Sequence, residues 1–476
     1  MNASTSKQER EACPLDPLVN KTTDFAYRGV RLKFDLSHAL FSSFDIDAGT
    51  RLLLKEIAHE PGIVEARRVL DAGCGTGVIG ISLAASCPDM EVVMRDRDFR
   101  AVAFAARNAS RNGLAVKLQG LGGTELAQCA KRPFAKIKVV QRNAALIAAP
   151  GLLCEPDPNA PYEAVVANLP AKAGPALLSQ YFVAVGRELL REGGTFAFVI
   201  VAPLAEQARA WCMEAGFEIQ RTVATKNHMV CIARTGERRA AERQTGKSAT
   251  NPDRAKPGFG KADQWFKAYV RSHVKKSIAG ASLVWDGIQG LPEFDEPSFA
   301  TLCALALGWQ VFAGSLVRRA LVIEPGVGIV PLWCKGVLGS SEITLKSHDV
   351  LALAASGWNL RRAGFDNSVR ILEPAFAKKE NSAGEPVLDS AERGMEVLAP
   401  FSIDAAILFP EDIPKFDSAS YYWPLLSRAL KRGAVAVIAS SATYIERFVR
   451  QKPSGFSKLP QGEHRKGWEA VAFRRE

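Results

Sequence analysis

The chain has 476 residues, of which 47% are hydrophobic and 23% charged, and its formal net charge is +11 at pH 7. That length exceeds one ordinary core and predicts two domains, while the composition excludes disordered and fibrous classes. No segment approaches the roughly 18 uninterrupted apolar residues of a membrane helix, and the positive balance favours a polyanionic partner, RNA first, because lysine and arginine release counterions from phosphates.

Residues 1–24 contain acidic side chains and no apolar stretch of the secretory kind, so they read as an N-terminal tail of a cytoplasmic protein. The nine cysteines include no C-x-x-C pair. They are expected to be reduced thiols, with neither a zinc site nor a disulfide framework.

Residues 25–234 form the first predicted domain. The stretch "FDLSHALFSSFDIDAGTRLLLKEIA" (34–58) places Asp47 where it caps the helix that follows. The apolar runs "RRVLDAG", "MEVVMRD", "KIKVVQR", "YEAVVAN" and "TFAFVIVA" then alternate with helical patterns, the rhythm of a parallel sheet with crossover helices. Between the first strand and its helix lies Asp71-Ala-Gly73-Cys74-Gly75-Thr-Gly77. Glycines there permit positive φ and close backbone approach, and the helix N-terminus presents free N–H groups. Asp96 ends the next strand, where a carboxylate can accept both hydroxyls of a ribose. Asn168-Leu169-Pro170-Ala171 follows a later strand. An amide side chain and a backbone carbonyl in such a turn can accept both N–H bonds of an exocyclic amine and aim its lone pair.

Residues 235–262, "TGERRAAERQTGKSATNPDRAKPGFGKA", are polar, charged and rich in Gly and Pro, and read as a linker. The second domain, 263–476, lays onto the first. "EVVMRDRDFRAVAFAARNASRNGL" (91–114) aligns without gaps to "EITLKSHDVLALAASGWNLRRAGF" (342–365) at an offset of 251, with seven of 24 positions identical. A tandem duplication of one α/β unit follows. In the second copy Glu324 is laid on Asp71, Gly326 and Gly328 on Gly73 and Gly75, and Val330 on the third glycine. Ser347 replaces Asp96 and "AAILFPEDIP" lacks an asparagine at the place of Asn168, so this copy is expected to bind no cofactor. At its start, "DQWFKAYVRSHVKK" sets Lys267, Arg271 and Lys275 four residues apart, a basic stripe on a helix beside Trp265 and Tyr269. It serves either as an RNA surface or as a solvated face with aromatics in the core. Arg361, Arg362, Lys378 and Lys379 could widen it. His38 and His228 are read as structural.

The glycine turn with its downstream acid resembles the class I S-adenosylmethionine-dependent methyltransferases, and the Asn-Leu-Pro turn is similar to the Asn-Pro-Pro-aromatic motif of those that methylate amino nitrogens. With the Phe-Ser…Asp-x-Gly-Thr segment upstream, the chain resembles the small-subunit rRNA guanine-N2 methyltransferase C family. The resemblance implies two tandem Rossmann-like methyltransferase domains, mostly parallel seven-stranded sheets flanked by helices, one active and one degenerate. In that family the degenerate copy is expected first; here the intact copy precedes it. The implied cofactor is S-adenosyl-L-methionine, contacted by Phe41, Asp47, Gly49, Thr50, Asp71, Gly73, Cys74, Gly75, Gly77, Asp96, Arg97 and Asn168, with Asn143 on the adenine side. Asn168, Leu169 and Pro170 would carry catalysis, and Lys172 with the stripe would meet ribosomal RNA or a pre-ribosomal particle. No metal and no membrane are implied. Leu169 departs from the stiffening proline and Ala171 from the aromatic that stacks on a base, which leaves open a protein side chain or small molecule as target, or an RNA-binding assembly factor without turnover.

Overall fold

The computed structural model describes residues 15–119, 145–236, 261–365, 369–372 and 398–476. Two α/β domains follow one another, each opening with a hairpin. In the first, β1 (Val19–Tyr27) pairs antiparallel with β2 (Val30–Ser37). Strand β1 crosses position 24, so the domain begins earlier than the composition of the tail implies. Helix α1 (Ala48–Ile57) leads to a sheet ordered β5-β6-β4-β3-β7-β8-β10-β9. Its strands are β3 (Arg68–Ala72), β4 (Glu91–Asp96), β5 (Val116–Leu118), β6 (Ala145–Pro150), β7 (Tyr162–Asn168), β8 (Leu190–Val201), β9 (Phe217–Ala224) and β10 (His228–Thr235). All neighbours from β5 to β8 run parallel, and only the β8-β10-β9 edge is antiparallel.

Among the described residues this first sheet has eight strands rather than seven. "AVKLQG" supplies the short β5, while "ALIAAP" takes the place beside β4 expected of the third strand. The run "KIKVVQR" and Asn143 lie outside the described residues. The interior of the sheet explains its apolar runs. Val69, Leu70, Val92, Val93, Val165 and Val166 are completely buried because helices cover both faces. Helix α2 (Val78–Ser86) is apolar all round, and its residues Val78–Ala85 are all buried.

The second domain repeats the plan. The hairpin β11 (Val270–Ile278) and β12 (Ala281–Ile288) precedes a seven-stranded sheet ordered β15-β14-β13-β16-β17-β19-β18. These are β13 (Arg319–Ile323), β14 (Glu342–Lys346), β15 (Val369–Leu372), β16 (Ile403–Leu408), β17 (Leu430–Ser441), β18 (Phe456–Arg465) and β19 (Trp468–Arg475).

Residues shared by both copies act as matching staples. The Asn108 side chain accepts from Asp35 N and donates to the carbonyls of Asp35 and Thr76, at 2.8, 3.1 and 2.9 Å. Its counterpart Asn359 makes the same three bonds to Asp286 and Val327, at 2.7, 3.0 and 2.8 Å. Each ties its hairpin and its glycine-rich turn to the helix behind them.

The basic stripe is corrected. Lys267 ends a 3-10 segment (Lys261–Tyr269), and Arg271 and Lys275 lie on the exposed face of β11. Arg271 stacks its guanidinium 3.6 Å above the Phe294 ring, and Tyr269 is buried, its hydroxyl accepting from Cys154 N of the first domain at 3.3 Å. No helix presents the three cations together. Lys378 and Lys379 lie outside the described residues.

Candidate functional site

The glycine turn of the first domain crosses from β3 into α2 at the carboxyl edge of the sheet. Gly73, Gly75 and Gly77 all have positive φ, at 73°, 54° and 83°. A Cβ added to Gly73 or Gly75 would meet open space, whereas one on Gly77 would press to 3.0 Å from the Ala105 backbone. The first two glycines therefore leave a cradle, and the third lets α2 pack on α3, the helix Phe99–Arg111. Gly73 N and Cys74 N both donate to Arg95 O, fixing the turn to the end of β4.

Two acids converge below this cradle. Asp71 accepts from Gly80 N through Oδ2 at 2.8 Å, while its buried Oδ1 has no protein partner. Burial pushes the Asp71 carboxyl up to about 7, with Asp96 adding to the effect. Asp96 accepts from Gly75 N through Oδ2 and from Asp98 N through Oδ1, both at 2.9 Å. Burial raises it to about 6 against these two bonds. An orphaned acid oxygen, a second acid on the next strand and open space over two glycines suit a cationic nucleoside ligand with ribose hydroxyls to donate.

Asn168 stands at the end of β7. Its amide nitrogen donates to Asp47 Oδ2 and Thr50 Oγ1, both at 2.9 Å. Asp47 also caps α1 by accepting from Thr50 N at 3.1 Å. Because a carboxylate only accepts, the asparagine is turned so that both of its hydrogens face α1 and its Oδ1 is left to accept from elsewhere. Asp47 thus serves both as cap and as orienting group. Leu169 follows, buried, with its N–H on Val199 O at 2.9 Å, and Pro170, Ala171 and Lys172 turn outward in a short 3-10 segment.

Several expected residues fall elsewhere. Phe41 is 78% exposed, and Phe44 on the same loop is 71% exposed. Arg97 points away from the cradle, donating to Gly290 O of the second domain at 3.1 Å and pairing with Asp349 at 3.3 Å. Gly49 packs under a residue that sequence reasoning set aside. A Cβ there would lie 2.9 Å from Asp47 Oδ2 and 3.3 Å from His228 Nε2. His228 opens β10 at the same sheet edge as Asn168, and only the hairpin geometry brings it to α1. Among the described residues no cluster of His, Cys, Asp and Glu could hold a metal, and the seven described cysteines are free and buried.

In the second copy the register of the turn differs by two residues from the alignment by glycines. Gly328 caps helix α4 (Ile329–Gly336) as Gly77 caps α2, and Glu324 N donates to Lys346 O as Gly73 N does to Arg95 O. Glu324 therefore occupies the position of Gly73, at φ 56°, and Val322 that of Asp71. Phe409 follows β16 where Asn168 ends β7. The Glu324 carboxylate folds into the space a ligand would need, accepting from Ser347 Oγ at 2.6 Å and pairing with His348 at 3.0 Å. What remains is a cavity of about 40 Å³ lined by Arg100, Glu324, Lys346, His348 and Tyr422, far below the roughly 300 Å³ of a nucleoside site.

Residues 31–137 match the family model described as the methyltransferase small domain. Over 112 residues the chain is 37% identical to the ribosomal RNA large subunit methyltransferase G of Photobacterium profundum, covering 23% of this chain and 26% of that protein. Over 88 residues it is 35% identical to the ribosomal RNA small subunit methyltransferase C of Stutzerimonas stutzeri, covering 18% and 25%. The matched part is thus about a quarter of each relative's length. Among solved structures, the T. thermophilus 16S rRNA N2 guanine methyltransferase in complex with AdoMet and guanosine superposes with a TM-score of 0.52, covering 96% of this chain and 98% of that one at 16% identity. Residues 31–137 accordingly match the sequence of a methyltransferase small domain, and the chain as a whole is similar in fold to that T. thermophilus structure.

Proposed function

We propose that the chain is an S-adenosylmethionine-dependent methyltransferase whose first domain methylates the exocyclic N2 amine of a guanine in ribosomal RNA, acting in the cytoplasm. The observation that carries this reading is the orientation of Asn168, whose amide nitrogen is spent on Asp47 and Thr50 beside the cradle. The donor supplies a sulfonium methyl to an incoming nucleophile. Asp96 and the turn Gly73–Gly77 would hold its sugar and amino-acid parts, with Asp71 facing its positive charge.

Asn168 Oδ1 and the Leu169 carbonyl would accept the two N–H bonds of the amine. Its lone pair, otherwise delocalised into the ring, is then turned toward the methyl group. The exposed rings of Phe41 and Phe44, on the loop leading into Asp47, offer stacking faces for a base that Ala171 does not. Lys172, exposed beside the same turn, would meet phosphate. The net charge of +11 favours such a polyanion.

Nucleoside mass spectrometry of rRNA from a strain lacking the gene tests the proposal. Loss of N2-methylguanosine relative to the parent is the expected result; an unchanged modification profile excludes the RNA target. The absence of an aromatic at position 171 favours methylation of a protein side chain as the second reading, which a tritiated-methyl assay on extract protein would then reveal.

A further inference from the structure

We infer that the second domain positions the ribose-binding acid of the first, through a main-chain bridge that ends on Val350. This rests on the reading of Asp96 as the ribose acid. The segment Arg97–Phe99 leaves β4 immediately after Asp96 and runs antiparallel to its own duplicate, His348–Val350. Phe99 N donates to His348 O and Val350 N donates to Arg97 O, both at 2.9 Å, around an isolated bridge between Asp98 and Asp349. At the offset of 251 these two bonds are the same bond seen from either copy.

The bridge fixes the peptide that holds Asp96, because Asp98 N lies inside it and donates to Asp96 Oδ1 at 2.9 Å. With Gly75 N on Oδ2, the carboxylate is held by two first-domain N–H groups, one of which belongs to the peptide that Val350 N fixes through Arg97 O. The Arg97 side chain adds a second tie to Asp349 and Gly290. A Cβ on Gly290 would approach Arg97 Nη1 to 2.9 Å, so the guanidinium is seated against that backbone. Within the first domain Phe99 is packed in the core and Asp98 pairs with Arg100, while Arg97 O and Phe99 N find their main-chain partners across the boundary. The degenerate copy is then a positioning element for the intact one, with Val350 and Asp349 as the positioning residues.

Val350→Pro isolates the bond. Val350 is the first residue of helix α5 (Val350–Arg362), where proline is tolerated, and Asp349 before it has φ −100° and ψ 109°, a conformation proline accepts in its neighbour. The substitution removes the donor to Arg97 O and leaves the helix intact. Calorimetry on the full chain would compare S-adenosylhomocysteine with its 2′,3′-dideoxy analogue. We expect Val350→Pro to weaken the former about five-fold, the worth of one hydrogen bond, and the latter by less than about two-fold. Equal losses on both ligands, or no loss on either, overturn the inference.

Should Val350→Pro fail to fold, Asp349→Asn decides, since asparagine preserves the cap on Leu351 N but not the charge facing Arg97. A loss of about two-fold confined to the hydroxylated ligand supports positioning; an unchanged affinity refutes it. Asp96→Asn separates the two levels. If it leaves S-adenosylhomocysteine binding intact, the cofactor reading fails; if it abolishes binding while both second-domain variants are silent, only the present inference fails.

Discussion

Asp98 and Asp349 occupy the same position in the two copies and face each other across the domain boundary, each capping its own helix while their backbones form the bridge. Identity between the copies is thus concentrated where the framework and the interface need it. Asn108 and Asn359 staple hairpins, and the two aspartates cap and join. Positions that differ at the turn are Gly73 against Glu324, Asp96 against Ser347 and Asn168 against Phe409, and in the second copy Glu324 and Ser347 bond to each other where the first copy is open.

Binding of S-adenosylhomocysteine should depend on the ionisation of Asp96. The carboxylate accepts two ribose hydroxyls only when deprotonated, and burial has pushed it up to about 6. As pH falls from about 7.5 to about 5, affinity should weaken, approaching ten-fold per pH unit at the acidic end. Asp96→Asn should bind weakly throughout and keep only the shallower dependence that Asp71, pushed up to about 7, contributes. Titration calorimetry over this range checks it, and a wild-type affinity that stays flat would contradict the assigned role.

Asn168→Ala should lower kcat by about 10²- to 10³-fold, since it removes an acceptor aimed at the reacting amine. Cofactor affinity should change less than about three-fold, because the amide is turned toward α1 and the substrate. Asp47→Asn should act more weakly in the same direction: a neutral amide still caps α1 but no longer fixes which way Asn168 faces. Single-turnover rates together with ligand Kd separate these effects. If Kd rises while the single-turnover rate is preserved, Asn168 belongs to the binding site and not to the chemistry.

Much of this arrangement was legible from residue patterns. Parallel strands buried on both faces must be largely apolar, and the runs leading to Asp71, Asp96 and Asn168 are so, Arg95 and Glu163 being among the exceptions. The turn register in the second copy was not, because counting glycines ignores the backbone. Glu324 takes a positive φ that glycine usually supplies, so matching glycine to glycine shifts the turn by two residues, whereas the offset of 251 and the pairing of β13 with β14 both set Glu324 on Gly73. The basic stripe misled for a related reason. A spacing of four suits a helix face, but it is also even, and a strand places Arg271 and Lys275 on one side just as well. Arg97 and His228 depend on juxtapositions between distant segments, which no local pattern encodes.

Replacing Asn359 by leucine should destabilise the protein by about 2–4 kcal/mol. The change strands Asp286 N and the carbonyls of Asp286 and Val327 in a buried setting, each losing its hydrogen bond to the Asn359 side chain. Urea unfolding measures the loss. A shift below about 0.5 kcal/mol would mean the staple is dispensable.

The network at the domain boundary should make stability fall on the alkaline side. Burial disfavours the charged imidazole of His348, but the carboxylates of Glu324 and Asp98 outweigh it and push the group up to about 9. Its folded pKa lies above the unfolded value of about 6.5, so the protein gains most from this charge below that pH and loses the gain as pH rises through about 9. His348→Gln keeps a donor for Glu324 but cannot titrate. Wild-type stability should drop by about 1–2 kcal/mol more than the variant's between about pH 6.5 and pH 10, an amount reduced from the full linkage value because the imidazole is partly exposed. Parallel curves for the two proteins would show that the boundary charges are not coupled to folding, and an opposite slope would mean that His348 is neutral in the folded chain, its carboxylate neighbours being compensated by Arg100 alone.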